Sequence, residues 1–320
     1  MRRKPSEPRS PLPALLLPTP TREDIKRGIA YMSASVLLFA LLNVLVKWLM
    51  ETYAAPQVLL FRSLFAVIPC AWLIWRSGGI AVLRTRHPFW HVSRAGVQFI
   101  SMVAIFTAYG MMPLADAVAI TYASPLFLTA LSVPVLGEKV GVHRWGAVML
   151  GFIGVLIMVR PGAGGSLIQL GALLALTNAL IGACLSLSVR AMTVSETAVA
   201  MVSYQALFTF LLALPMQPFV WVQPTPFDFL LLASLGLGSA VGQYWWTQAF
   251  RLAPASVNAP FSYTALVWAI GFGWLIWGDV PSQGLMLGAG IVVVSGLYIL
   301  YRETVRRVPR SALAAKRPVI

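Results

Sequence analysis

Ten nearly uncharged apolar runs, most of them close to 20 residues, leave this chain few folds to choose from. They cover 27–49, 56–76, 91–111, 114–136, 143–160, 167–190, 197–217, 228–250, 254–277 and 282–301. About 20 apolar residues coiled as an α-helix match the ~30 Å hydrocarbon core of a bilayer. Lipid offers no partner for a backbone N–H or C=O, so the helix, which closes those bonds internally, is the form such runs must take. Pro56, Gly78-Gly79, Pro113, Pro161-Gly162, Pro224, Pro226, Pro254 and Pro281 mark the joints. Only Met111-Met112-Pro113 separates the third run from the fourth, and no gap is long enough for an inserted soluble domain. Charged residues make up 11% of the chain, where a soluble domain carries about 25%. The expected class is an all-α integral membrane protein with ten transmembrane helices and the lipid bilayer as its first partner.

The chain carries a net charge of +14. Its basic residues sit at helix ends and tails with no interleaved aromatics, so nucleic acid is not an expected partner. They do set orientation, because Lys and Arg collect on the cytoplasmic side. With the N-terminus inside, only Lys47, Arg62 and Arg160 of the 24 basic residues fall elsewhere than the cytoplasmic side. Both ends are therefore placed in the cytoplasm of an inner-membrane protein. Residues 1–26 read as a disordered basic tail, too Pro-broken for a signal peptide, and 303–320 as a second basic tail.

The runs repeat. At an offset of 143, Lys47 falls on Arg190, Arg62 on Gln205, Leu64 on Leu207 and Phe65 on Phe208. Leu114-Ala115 returns as Leu252-Ala253, Gly137-Glu138 as Gly278-Asp279, and Gly146 as Gly288. One five-helix unit is written twice, over 27–160 and 166–302. Five is odd, so the second unit enters from the opposite side. Two inverted five-helix repeats with a site near the midplane are the architecture of many secondary transporters.

Specific residues carry a family resemblance. Repeat one has Leu114-Ala115-Asp116-Ala117, Ser124-Pro125-Leu126-Phe127, Leu136-Gly137-Glu138-Lys139, Trp145-Gly146 and Gly151-Phe152-Ile153-Gly154-Val155. Repeat two answers with Leu252-Ala253-Pro254-Ala255, Trp277-Gly278-Asp279, Gly288 and Gly296. Over residues 27 to 302 this resembles the EamA-type carriers of the drug/metabolite transporter superfamily. Lys47 and Arg62 also resemble the subgroup of S-adenosylmethionine and riboflavin carriers, in which an acid often precedes the helix-one Lys by four residues. Here that place holds Asn43, and Asp279 stands where Glu is usual. The resemblance implies a cavity lined by helices one, three and four with six, eight and nine, and peripheral helices five and ten.

The candidate substrate-binding residues are the embedded polar ones: Asn43, Lys47, Arg62, Gln98, Tyr122, Asn178, Gln205, Gln243 and Tyr263. An Arg inside a bilayer costs on the order of 3 kcal/mol on insertion scales, so Arg62 should face the bundle, either to bind an anion or to hold free carbonyls near Pro56. Lys47 either reaches a ligand or snorkels outward. Asn43 shares its face one turn deeper, where it can serve a ligand or a neighbouring helix. Apart from Glu51, no acid lies within a turn of Lys47 or Arg62, so the pair reads as unpaired positive charge. Pro125 should kink helix four. Trp268 lies mid-span, open to substrate stacking or to lipid. Small-residue spacings such as Gly238-xxx-Gly242, Ala147-xxx-Gly151 and Gly284-xxx-Gly288 fit close packing within the chain or a homodimer face on helix ten.

An enzyme is not expected. His87, His91 and His143 fall near helix ends without a zinc-like cluster, and no phosphate-binding Gly-Lys-Ser/Thr loop is present. No cofactor is called for. Cys70 and Cys184 lie inside apolar runs, and no disulfide between them is expected. The reading is a secondary transporter of a small organic metabolite, carboxylate-bearing or nucleoside-like. A non-transporting receptor or scaffold is the alternative, and coupling to a proton or another ion stays open.

Overall fold

The first helix, α1 (Arg22–Leu49), begins where Thr21 accepts from the Asp24 amide and Asp24 accepts back from the Thr21 amide. That reciprocal pair satisfies two of the donors every helix start leaves open. From there a computed structural model describes residues 21–85, 88–136, 141–159, 165–192, 197–253 and 255–305. Residues 1–20 and 306–320 of the basic tails, with Glu138, Lys139, Arg160 and Pro254, lie outside the described residues, while residues 22–26, expected in the disordered tail, form the first turn of α1. All regular structure among the described residues is helical.

After α1 come α2 (Ala55–Arg76), α3 (Pro88–Met111), α4 (Leu114–Thr121), α5 (Ser124–Leu136), α6 (Val142–Val159) and α7 (Ser166–Met192). They are followed by α8 (Ala198–Ala213), a short α9 (Gln217–Val220), α10 (Pro226–Leu252), α11 (Ala255–Ser262), α12 (Thr264–Trp277) and α13 (Gln283–Val305). Among the described residues, nine helical segments are long and apolar enough to cross a membrane. α10 has 27 residues, but its C-terminal half, with Gln243, Tyr244, Trp245, Trp246 and Gln248, dilutes its apolar character.

Two of the expected spans are broken in the middle. The fourth parts at Tyr122 and Ala123, between α4 and α5, where Tyr122 and Ala123 donate to the third residue back instead of the fourth. Pro125, which has no N–H to give, begins the second piece. The expected kink at Pro125 is thus a break just before it. The ninth parts at Tyr263, between α11 and α12. The two breaks occupy matching places in the two halves.

Packing follows the same correspondence. α1 lies along α10 as α3 lies along α7, α2 packs on α8, α6 on α13, and α4 on α12. The Ser35 hydroxyl donates to the Gly242 carbonyl at 3.0 Å across α1 and α10. Asn178, at the place of Ser35 in the second half, donates to the Ser101 carbonyl at 3.1 Å across α7 and α3. α6 and α13 meet at Gly154 and Gly288, where a Cβ on Gly288 would stand 2.5 Å from the Gly154 carbonyl oxygen. Gly238 and Gly242 close on Leu42 and Phe39 of α1, and Gly151 on Leu126. These small-residue faces are used inside the chain.

The outer surface is apolar. Ile68 and Trp75 of α2, Ile153 of α6, Phe219 of α9, Leu275 of α12 and Leu287 of α13 are all exposed. An apolar girdle of this extent is a surface for lipid. Trp268 is exposed on it, stacked on Phe272, which places it with the lipid-facing side chains.

Candidate functional site

Arg62 owes its position to three local features. Pro56 opens α2, where its missing N–H leaves no bond unmade. Gly236 then lets α10 press against the Arg62 turn, since a Cβ there would stand 2.8 Å from the Arg62 carbonyl oxygen and 2.5 Å from Phe65 Cβ. The side chain reaches α3, with Nη1 2.9 Å from the Met102 thioether and the guanidinium 6.0 Å from the Phe106 ring centre. A thioether is a weak acceptor, and Arg has five N–H donors and does not give up its proton. Arg62 makes no ion pair among the described residues.

The donors that Met102 does not use border a cavity. Arg62 and Ser63 of α2, Gln205 and Thr209 of α8, and Ser239 and Gln243 of α10 line it. It offers about 40 Å³ of water-accessible space, room for about three waters at ~10–15 Å³ each. Metabolite sites run to ~300 Å³ and more, so this space is too small to hold one. This small cavity lies among the second, seventh and eighth runs.

A second arginine stands beside it. Arg94 of α3 donates from Nη2 to Gln205 Oε1 at 3.1 Å. Its Nε–H is buried with no acceptor among the described residues. With Phe89, Trp90, Ser93, Val97, Cys184 and Leu185, Arg94 also lines a larger, open chamber of about 410 Å³ between α3 and α7, on which Phe89, Trp90 and Val97 are exposed. Sequence reasoning counted Arg94 only as a charge at a helix end. Its four-residue spacing to Gln98, and Gln98's to Met102, was the available signal.

Tyr122 and Tyr263 meet where the two broken spans cross. Their rings lie 4.8 Å apart and the Tyr122 hydroxyl donates to the Ser262 carbonyl at 2.7 Å. A break exposes backbone carbonyls that a continuous helix would use, and Ser262 supplies one of them.

At the end of the bundle where α1 finishes, the positive charge expected to be unpaired has a partner. Lys47 Nζ lies 3.2 Å from Asp279 Oδ2, 3.3 Å from the Met112 carbonyl and 4.8 Å from the Trp277 ring centre. The Trp277 indole donates to Glu51 at 3.3 Å. Gly278, in the left-handed region at φ 70°, ends α12 and turns the chain so that Asp279 faces Lys47. This corrects the sequence expectation, because Asp279 is remote in sequence and close in space. At the same end the Tyr53 hydroxyl donates to Asp228 Oδ2 at 2.7 Å. Burial first, and that bond second, push the Tyr53 phenol above its ordinary value.

The remaining candidates are dispersed. Asn178 is spent on Ser101. Asn43 and Gln98 are half-buried, and their side chains make no hydrogen bond among the described residues. Of the nine, Arg62, Gln205 and Gln243 share one cavity, Tyr122 and Tyr263 share the crossing, and Lys47 is paired with Asp279 at the end of the bundle where α1 finishes. Among the described residues no His, Cys, Asp and Glu group could hold a metal ion.

Comparison with known proteins places this geometry in context. The EamA-like transporter family matches residues 26–160 and again 169–301. The riboflavin transporter of Vibrio cholerae is 32% identical over 286 residues, covering 87% of this chain and 94% of the relative. The S-adenosylmethionine uptake transporter of Rickettsia prowazekii is 28% identical, covering 86% and 93%. The pseudopaline exporter of Pseudomonas aeruginosa is 28% identical, covering 85% and 95%. One solved crystal structure superposes with a TM-score of 0.62 at 20% identity, over 88% of this chain and 99% of the other, a likeness of fold.

Proposed function

Because the chain belongs to the EamA-like transporter family, whose members are transporters and not enzymes, we propose that it carries a small organic metabolite bearing a carboxylate or another negative group. Transport proceeds by alternating access across the cytoplasmic membrane. The ten spans, α10 included, form two inverted five-helix repeats with both termini inside. The matching breaks at Tyr122 and Tyr263 and the exchanged pairings of α1–α10 and α3–α7 support this arrangement.

The observation that carries the cargo's charge is Arg62, a permanent cation with one thioether contact, an aromatic ring and no carboxylate among the described residues. An uncompensated cation in a site that excludes water attracts an anion, since the Coulomb energy grows as the dielectric falls. A guanidinium also grips a carboxylate at two points, which an ammonium cannot do. Gln205 and Gln243 add neutral donors and acceptors around the same space. The named cargoes of the relatives give a starting set, and S-adenosylmethionine, though net positive, carries a carboxylate of the kind a guanidinium grips.

The test is ligand-dependent thermal stabilisation of the purified protein across S-adenosylmethionine, riboflavin, amino acids and nucleotides, repeated with Arg62→Lys. Affinity for the stabilising anion is expected to fall at least roughly tenfold while the ligand-free melting temperature holds, from the loss of the two-point grip. A lower ligand-free melting temperature with unchanged affinity would make Arg62 a structural tie and remove the basis for an anionic cargo.

A further inference from the structure

Arg94 is one of two interior guanidiniums, and neither has a carboxylate partner among the described residues. The ion pairs there are Arg27 with Glu23 and Lys47 with Asp279. Arg94 touches both spaces of the bundle. Its guanidinium lines the 410 Å³ chamber and holds Gln205, which lines the small cavity at Arg62. Arg94, Gln98 and Met102 follow at one-turn intervals on α3, and Met102 is the residue that Arg62 contacts. Eight residues span about 12 Å of helix, so the two arginines are anchored about that far apart along a single face. The chamber is open on one side and has the volume of a small-molecule site, ~300–1,000 Å³, whereas the cavity at Arg62 is far smaller.

We propose that this chamber is a separate anion-binding station, in which Arg94 takes the negative group of the cargo before it reaches Arg62. Gln205 Oε1 stands in for a ligand oxygen at rest. A carboxylate is a stronger acceptor for a guanidinium than a neutral amide, so an arriving anion displaces Gln205. The freed amide then turns toward the cavity it already lines. The unsatisfied, buried Nε–H supplies the second point of a two-point grip, since Nε and an Nη of one guanidinium lie on the same edge. Trp90 and Phe89 give the chamber apolar walls for the uncharged part of the cargo. The inference rests on the reading of the cargo as bearing a negative group, and it gives Arg94 and this chamber a role separate from that of Arg62.

Cys184 lines the same chamber and is exposed, which makes it a native reporter of the field that Arg94 creates. The purified protein is treated with methanethiosulfonate reagents of equal size, one carrying an ethylsulfonate and one an ethyltrimethylammonium group. In each case the Cys184 thiolate attacks the reagent sulfur, forms a mixed disulfide and releases methanesulfinate. Mass spectrometry assigns the modified residue. The thiolate is common to both reactions, so the ratio of the two rates reports local charge and not thiol acidity.

The anionic reagent is expected to react faster. Arg94→Gln should lower the ratio roughly three- to tenfold, the scale of one charge a few ångströms away in a partly wet site. Arg94→Lys should keep it, and Arg62→Gln should leave it unchanged. A ratio that favours the cation, a ratio insensitive to Arg94→Gln, or no reaction of Cys184 with either reagent would overturn the proposal. Each of those results leaves the Arg62 reading standing, because that reading is tested by ligand affinity and not by this ratio.

Discussion

Replacing Asp279 by Asn removes a charge without changing shape, and the geometry at Lys47 sets the size of the effect. The pair is 3.2 Å apart with side chains 12% and 27% exposed. Fully exposed pairs contribute about 0.2–1 kcal/mol, and loss of one partner from a fully buried pair costs about 3–5 kcal/mol. This pair lies between them, nearer the exposed limit on the Asp279 side. Lys47 also keeps the Met112 carbonyl and the Trp277 ring after the change. A coupling of about 1–1.5 kcal/mol is the expected result of a Lys47→Met, Asp279→Asn double-mutant cycle. On the proposed alternating access this contact, which joins α1 to the end of α12, holds that end of the bundle closed, and its loss raises the open population roughly five- to thirteenfold. The assay is the reaction rate of Asn43→Cys, one turn deeper on the same face, with a membrane-impermeant maleimide in intact cells, in a background with Cys70 and Cys184 replaced by Ser. Either single substitution should raise the rate by that factor, and the double should add little more. Unchanged rates, or effects that multiply in the double, would refute the view of this pair as a latch.

Three further outcomes follow from particular contacts. Tyr53→Phe should cost about 1.5–3 kcal/mol at neutral pH, the scale of a hydrogen bond to a charged acceptor. Because the folded phenol titrates above its ordinary value of 10.0, its contribution is fully present below that value and is lost as pH rises through the raised one, so wild type and variant should converge in alkaline unfolding measurements. Gly288→Leu should prevent the approach of α13 to α6, where even a Cβ meets Met158 Cγ at 2.5 Å, and lower the melting temperature in detergent by several degrees, an effect absent at Gly290, which has open space around it. A reporter active only outside the cytoplasm should work when fused after Pro224 and fail after Arg302; activity at Arg302 would break the inverted arrangement.

The helices were legible because lipid allows a long apolar run one form. The first run, read as 27–49, is Arg22–Leu49, and the fifth, read as 143–160, is Val142–Val159. Pro125 announced the interruption of the fourth span, although not that Tyr122 would sit at the break and meet its counterpart Tyr263. The pairing of Lys47 with Asp279 was not legible, since it joins residues 232 apart through the rotation of α1 and α12. Periodicity does not supply such rotations here, because the lipid-facing side of each helix is as apolar as the packed side. For the same reason the contact of Arg94 with Gln205 was not legible, since Arg94 resembles any other charge at a helix end.

Transport itself is measured most directly with the purified protein alone in sealed liposomes preloaded with S-adenosylmethionine. Uptake of the labelled compound against the internal pool would show exchange by alternating access. The account predicts saturable uptake that Arg62→Gln abolishes and Arg62→Lys reduces sharply, with the folded yield of both variants preserved. If no carboxylate-bearing metabolite exchanges, or if Arg62→Gln liposomes exchange as well as wild type, a transporter with its cargo's carboxylate held at Arg62 is contradicted.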